Sequence, residues 1–268
     1  MTEIARPVPQ HRAGINKSNQ SRKVSSMRKL RTLSMVGTLG MLVAGSLVFG
    51  PAQAATAATC SPAPTNSYPG TVVLATSFEA GGFCGLIPKV SGTGTATITT
   101  SLKHTGLRSA KLHVTTDSGS LANLSSPAFP SGTKTSYADG WFKITVAGVS
   151  GNDVPYFRFF SGSTRVADIY RYNSNGQLWL RVTSPSGTFV YTKLISGSIT
   201  LGDWHHVSMR VTANGNTSTI QVWFDGVQRY SSTSVKMLGT SLSKVQLGAE
   251  HNRQKGDEYI DDVVIKRS

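Results

Sequence analysis

Between Thr71 and Lys266, apolar residues return at every second position in short runs, and no stretch sustains the 3.6-residue period of an amphipathic helix. The last quarter is clearest. Over Trp204–Val211, the residues His205, Val207, Met209 and Val211 alternate with His206, Ser208 and Arg210; over Ser218–Phe224, Ile220, Val222 and Phe224 alternate with Gln221 and Trp223. Asn214-Gly215 and Asp225-Gly226 close these runs, and both dipeptides favour the positive φ of tight hairpins. The same pattern predicts strands over Thr71–Phe78, Thr95–Thr100, Ser109–Thr115, Ala122–Ser125, Tyr137–Val146, Val154–Phe160, Arg165–Tyr172, Gln177–Thr183, Thr188–Leu194, Lys244–Leu247 and Glu258–Lys266. So many short antiparallel strands imply an all-β fold, a two-sheet antiparallel β-sandwich of the jelly-roll kind that buries alternate residues between its sheets. The expected core is Phe142, Ile144, Val146, Leu178, Leu180, Val182, Val207, Met209, Val211, Ile220, Val222 and Phe224.

The residues between those core positions carry the chemistry. Trp141 and Lys143, Trp179 and Arg181, and Gln221 and Trp223 point away from the interior in this register, and Tyr156 is expected beside Arg158. The strand Arg165–Tyr172 adds Asp168, Tyr170 and Tyr172. Aromatic faces stack on the C–H faces of sugar rings, and Arg pairs with carboxylate or sulfate. The expected carbohydrate-binding residues are therefore Arg158, Trp179, Arg181 and Trp223, on one sheet face. The alternative is that the tryptophans cover the sandwich edge or pack under loops.

The N-terminus has a different composition. A polar, basic stretch to Arg31 precedes an apolar run, Leu33–Phe49, which Pro51 breaks ahead of Ala52-Gln53-Ala54. That order is a secretory signal peptide over residues 1–54, with Met27 an alternative start and a retained membrane anchor the alternative reading. Residues 55–70 are Ala/Thr/Pro-rich and read as a flexible lead-in, leaving 71–268 as one β domain. Residues 1–54 hold eight of the 27 Lys/Arg and one of the 13 Asp/Glu, so the formal charge falls from +14 to +7 without them. Such a balance favours an anionic partner such as an acidic polysaccharide or cell-wall polymer, with a solvated basic surface as the alternative. The dispersed basic residues argue against nucleic acid, and after cleavage no membrane contact and a monomer are expected. Cys60 and Cys84 are the only cysteines, which in an exported protein suggests one disulfide; a lipidated Cys60 lacks the usual preceding residues.

Several short motifs resemble known families. Trp204-His205-His206-Val207, Asp225-Gly226 and Val245-Gln246-Leu247-Gly248 are similar to laminin-G-like, concanavalin-A-like domains. Phe78-Glu79-Ala80-Gly81-Gly82, Gly106-Leu107-Arg108-Ser109-Ala110-Lys111-Leu112 and Ile260-Asp261-Asp262-Val263 resemble the jelly-roll carbohydrate-binding modules of glycanases. The resemblance implies a structural calcium held by Glu79 and Asp261, with Asp262 as a substitute, and it implies glycan binding. An acid pair held by hydrogen bonds or by Lys/Arg is the alternative to calcium.

Catalytic signatures are sparse. The Glu-x-Asp-x-x-Glu strand of retaining glucanases of this fold is absent from Gly256–Asp262. Arg158, Arg181, Tyr156, Tyr170, Tyr172, His206, His251 and Asn252 are residue types a polysaccharide lyase uses, but the spacing of alginate-lyase-like enzymes is missing. The histidines lack paired zinc-ligand spacing. The reading is therefore a secreted, non-catalytic, lectin-like jelly roll acting on extracellular or cell-wall polysaccharide, with no catalytic residue assigned. The alternatives are a secreted lyase acting on an acidic polysaccharide and a protein-binding adhesion module.

Overall fold

A computed structural model describes residues 58–60 and 62–268. The expected signal peptide, its expected cleavage site and Met27 lie outside the described residues. Within the described residues, sixteen strands form two sheets. In chain order they are β1 (Ala58–Thr59), β2 (Thr71–Thr76), β3 (Ile87–Ser91), β4 (Thr95–Thr99), β5 (Ser109–Val114), β6 (Leu121–Ser125), β7 (Thr135–Val146) and β8 (Asp153–Ser161). They continue with β9 (Thr164–Tyr172), β10 (Leu178–Thr183), β11 (Phe189–Ile195), β12 (His205–Thr212), β13 (Ser218–Phe224), β14 (Val227–Val235), β15 (Lys244–Ala249) and β16 (Gly256–Arg267). One sheet runs β1-β2-β16-β7-β12-β13-β14, with β5 also beside β16 and β4 beside β5; the other runs β11-β10-β9-β8-β15-β6-β3. Apart from the short parallel β1–β2 pair, every pairing is antiparallel.

Every expected strand is present, and the alternation places Phe142, Ile144, Leu178, Leu180, Val182, Val207, Met209, Val211, Ile220, Val222 and Phe224 in the core. Val146 is the exception: it sits at the end of β7 and is 48% exposed, beyond the reach of the opposing sheet. Strands β3 and β14 escape the sequence pattern because both are edge strands with little buried surface, so no alternation marks them. Asp225-Gly226 forms the expected hairpin, with φ of 51° and 75°. Asn214-Gly215 does not. Asn214 has φ of −146°, and a 3₁₀ turn over Gly215–Thr217 makes the connection.

Several pairs carry register shifts, and those in β8 and β16 reposition side chains. In β8 the pairing with β9 slips between Pro155 and Phe157, which leaves Tyr156 as a bulge residue. Tyr156 therefore turns inward, edge-on to Phe142 and Phe224, rather than outward beside Arg158 as the simple alternation predicts. In β16, residues before Asp261 pair with β5 and residues after Asp262 pair with β2, while β7 flanks the other side throughout. Asp262 takes φ of 49° at this change of partner.

The start of the described chain is fastened down. Cys60 and Cys84 form a disulfide with Cα atoms 5.9 Å apart. Lys266 Nζ donates to the carbonyls of Asn66 (2.9 Å) and Tyr68 (2.6 Å), and Tyr68 stacks on Tyr137 at 5.3 Å. Over residues 62–70 the expected flexible lead-in is thus laid across the outer face of the nine-stranded sheet. Among the described residues no helix is long and apolar enough to cross a membrane.

Candidate functional site

The seven-stranded sheet presents an ordered row of polar side chains on its outer face. Cross-strand register sets Gln246 beside Arg158, Arg158 beside Asp168, Asp168 beside Arg181 and Arg181 beside Tyr191. One step along, Pro155, Tyr170, Trp179 and Lys193 face one another, and beyond them Asp153 pairs with Tyr172. The period-2 geometry of β9, β10 and β11 places these side chains on one surface while Ile169, Leu178 and Leu180 fill the core behind. The result is an open groove of about 500 Å³ lined by Gly151, Asn152, Asp153, Tyr170, Tyr172, Trp179, Arg181, Tyr191 and His251.

Ion pairs hold the groove floor in place. Arg181 makes a bidentate pair with Asp168, at 2.9 Å from Nε and 2.6 Å from Nη2, and Nη2 also lies 2.9 Å from Asp153. Its guanidinium stacks over the Tyr170 ring at 4.8 Å and the Phe189 ring at 5.5 Å. Burial disfavours the charge on Arg181, but the Asp168 hydrogen bonds and both carboxylates outweigh it and hold the guanidinium charged. The Asp153 carboxylate also accepts from Gln254 Nε2. Burial pushes the Tyr170 phenol up, partly offset by Arg181, so it stays protonated at neutral pH. His251, at the groove rim, is pushed below its ordinary range by burial and is neutral at pH 7.

Arg158 lies in the same row but out of reach. It is 0% exposed, with Nη1 2.9 Å from Glu250 on the segment that follows β15. Glu250 also lies 3.4 Å from Arg165, which in turn is 3.4 Å from Asp168. Burial lowers the Arg158 pKa against the pull of Glu250 and Asp168. Arg158 is thus a buried member of the support and not a surface contact. Trp223 is elsewhere altogether: it lies on β13, in the other sheet, 5.8 Å from Tyr68 and covered by the lead-in. Of the four expected sugar-binding residues, the structure brings only Trp179 and Arg181 together in one groove. Tyr170 and Tyr172 join them, as their strand alternation allows. Tyr191, Asn152 and Asp153 were not singled out from sequence; Tyr191 could have been found from the alternation of Phe189, Tyr191 and Lys193 in β11.

The outer face of the nine-stranded sheet has its own cluster. Trp141 lies between His104, at 3.7 Å, and His206, at 4.9 Å. His104 Nδ1 is 2.9 Å from Asp262 and His206 Nε2 is 3.1 Å from Asp139, which also accepts from Ser208 at 2.6 Å. The bond to Asp139 raises the His206 pKa despite its burial.

The calcium implied by resemblance can be tested against the oxygens on hand. Glu79 Oε1 accepts from the amides of Leu107 and Arg108, both at 2.9 Å, and Gly106, with φ of 60°, packs against the same carboxylate, where no Cβ would fit. Asp261 Oδ2 accepts from the amides of His104 (2.9 Å) and Thr105 (3.2 Å), and Oδ1 from that of Asp262 (2.8 Å). Amide donors cannot ligate a cation, and a calcium cage needs several free oxygens. Among the described residues no group of three or more His, Cys, Asp or Glu is placed to hold a metal ion. As they stand, Glu79 and Asp261 do not fit a calcium site; they clamp the loop 104–108 to the sheet. Burial, and then the neighbouring Asp262, push Asp261 up to about 7, against the pull of the amides.

No protein-family model matches the chain, and no curated protein matches it. Solved structures do. An endo-β-1,4-glucuronan lyase from the fungus Trichoderma reesei superposes with a TM-score of 0.57 at 15% identity, covering 70% of this chain and 93% of its own. The cellulose-induced protein Cip1 gives 0.56 at 16% identity over 70% and 94% of the two chains. A carbohydrate esterase from the Shiga toxin-encoding bacteriophage phi24B gives 0.51 at 16% identity over 72% and 95%. At these identities the likeness is one of fold, and together with the strand order it defines a two-sheet antiparallel β-sandwich, as in concanavalin-A-like jelly rolls.

Proposed function

We propose that this is an exported, non-catalytic glycan-binding protein whose ligand lies in the groove of the seven-stranded sheet. One observation carries the reading. Tyr170, Tyr172, Trp179 and Tyr191 line a single open groove beside Asn152, Asp153 and Arg181, so flat apolar rings and hydrogen-bonding groups converge on one volume. Rings of this kind stack on sugar faces, while the polar groups read hydroxyls. The ion-paired floor fixes those rings before a ligand arrives, which lowers the ordering cost of binding. The glycan-active proteins of the same fold agree with this reading but do not by themselves supply a function. Export accords with the Cys60–Cys84 disulfide, which persists in oxidising compartments, and with the signal-like N-terminus. A glycan array, run with the parent and with Trp179→Ala, tests the proposal. Binding that the substitution weakens supports it; binding indifferent to Trp179 overturns it.

A second reading, polysaccharide lyase, is favoured by one feature of the same groove. His251 is held neutral and stands among three tyrosines, the residue types that remove and return protons. Such a reaction takes the proton alpha to a uronate carboxylate, breaks the C–O bond at the β carbon and protonates the leaving oxygen. Its product absorbs in the ultraviolet. A rise in absorbance on acidic polysaccharide, abolished by His251→Ala, would establish the lyase in place of the binder.

A further inference from the structure

We infer that the groove selects an uncharged glycan over a uronate of the same backbone. The inference rests on the glycan-binding reading above and names the class of ligand. The charges beneath the groove are matched one for one: Arg158, Arg165 and Arg181 against Asp153, Asp168 and Glu250. Within the lining itself, the charged groups are Asp153 and Arg181, which already touch at 2.9 Å, while His251 is neutral. A uronate carboxylate entering here finds no free cation among the described residues of the lining. To reach Arg181 it must displace Asp168 from a bidentate pair or Asp153 from Nη2, and either step strands a buried carboxylate beside a new anion. Arg158 cannot answer, because it is fully buried behind Glu250. Two exposed cations border the lining: Lys193, on β11 opposite Trp179, and Arg253, whose guanidinium lies 3.3 Å from the Asn152 side chain; both stand outside the lining, where solvent screens them. The rings carry no such penalty with a neutral chain. Hydroxyl groups can pair with Asn152, Asp153 and the three phenols without breaking any existing ion pair.

The test uses matched pairs of oligosaccharides: oligogalacturonate, oligoglucuronate and oligomannuronate, each beside its carboxyl-reduced, neutral counterpart. Titration calorimetry on the intact protein reads affinity at low and at physiological salt. The neutral member of a bound pair is expected to bind at least about tenfold tighter, with an affinity that changes less than about twofold with salt. Tighter, salt-sensitive binding of the uronate overturns the inference while leaving the glycan-binding reading intact, and it turns attention to the lyase. Binding of neither member of any pair, together with an empty glycan array, overturns both. Asp153→Asn supplies an independent arm. It leaves the Arg181–Asp168 pair in place and gives the groove one net positive charge, so uronate affinity is expected to rise about fivefold or more and to become salt-dependent. An unchanged uronate affinity in a folded Asp153→Asn protein would mean that charge matching is not what excludes the acid.

Discussion

The two outer faces of this sandwich are built from the same residue types and end in opposite states. On the nine-stranded sheet, Tyr68 lies on Tyr137 and beside Trp223, and Trp141 is enclosed by two histidines that carboxylates hold in place. Residues 66–68 lie against Lys266, Tyr137 and Trp223 on that face. On the seven-stranded sheet no described segment crosses Tyr170, Tyr172, Trp179 and Tyr191, and the same kinds of ring line a groove. Outward-facing aromatics therefore do not define a binding surface by themselves. What distinguishes the two faces is whether the protein uses its aromatics on its own chain.

The largest expected effect separates support from surface. Arg158 is buried and paired, so Arg158→Ala takes from Glu250 its nearer partner, leaves only Arg165 at 3.4 Å, opens a cavity in the support and should cost about 3 kcal/mol of stability in denaturant titration. A folded, equally stable variant that merely binds sugar less well would return Arg158 to the surface. Next is the strap that covers the nine-stranded face. Replacing Cys60 and Cys84 together by Ser should lower stability by roughly 3 kcal/mol and raise the hydrogen-exchange rate of residues 62–70. Exchange at Tyr170–Trp179 should not change apart from the global shift.

The third contrast sets one tryptophan against another. Trp179→Ala should weaken glycan binding by about 1–3 kcal/mol with little loss of stability, whereas Trp223→Ala should lower stability by about 1 kcal/mol and leave binding unchanged. Equal effects of both substitutions on binding would erase the distinction between the faces. The smallest effect is one of pH. Asp139 raises the His206 pKa in the folded state above its ordinary 6.5, so protonated His206 stabilises the fold. That contribution is fully present below pH 6.5 and is lost as pH rises through the folded value. The stability difference between parent and Asp139→Asn should shrink across this range by under about 1 kcal/mol, as melting curves at successive pH values would show.

Much of this was legible in the chain. Alternation in β10 put Trp179 and Arg181 outward and Leu178, Leu180 and Val182 inward, because that strand pairs without interruption with β9 and one of its faces is core. Alternation failed at Tyr156, where a bulge adds one residue and reverses the facing of its neighbours, something no composition signals. It also could not tell that Trp223 and Trp179 belong to different sheets, since outwardness is local and sheet membership depends on distant pairing. Nor could it show that Glu250, far along the chain, would seal Arg158. The pair of acids at Glu79 and Asp261 was visible in the sequence; only the fold showed that the amides of loop 104–108 donate to both.

Strand β16 changes partner at Asp261-Asp262 and touches β2, β5 and β7, which makes the last strand the keystone of the nine-stranded sheet. A ribosome delivers that keystone after every strand it must join. Until residues 256–267 emerge, β2 and β5 have no neighbour on one side and the sandwich cannot close, so folding waits for a contact of very long sequence separation.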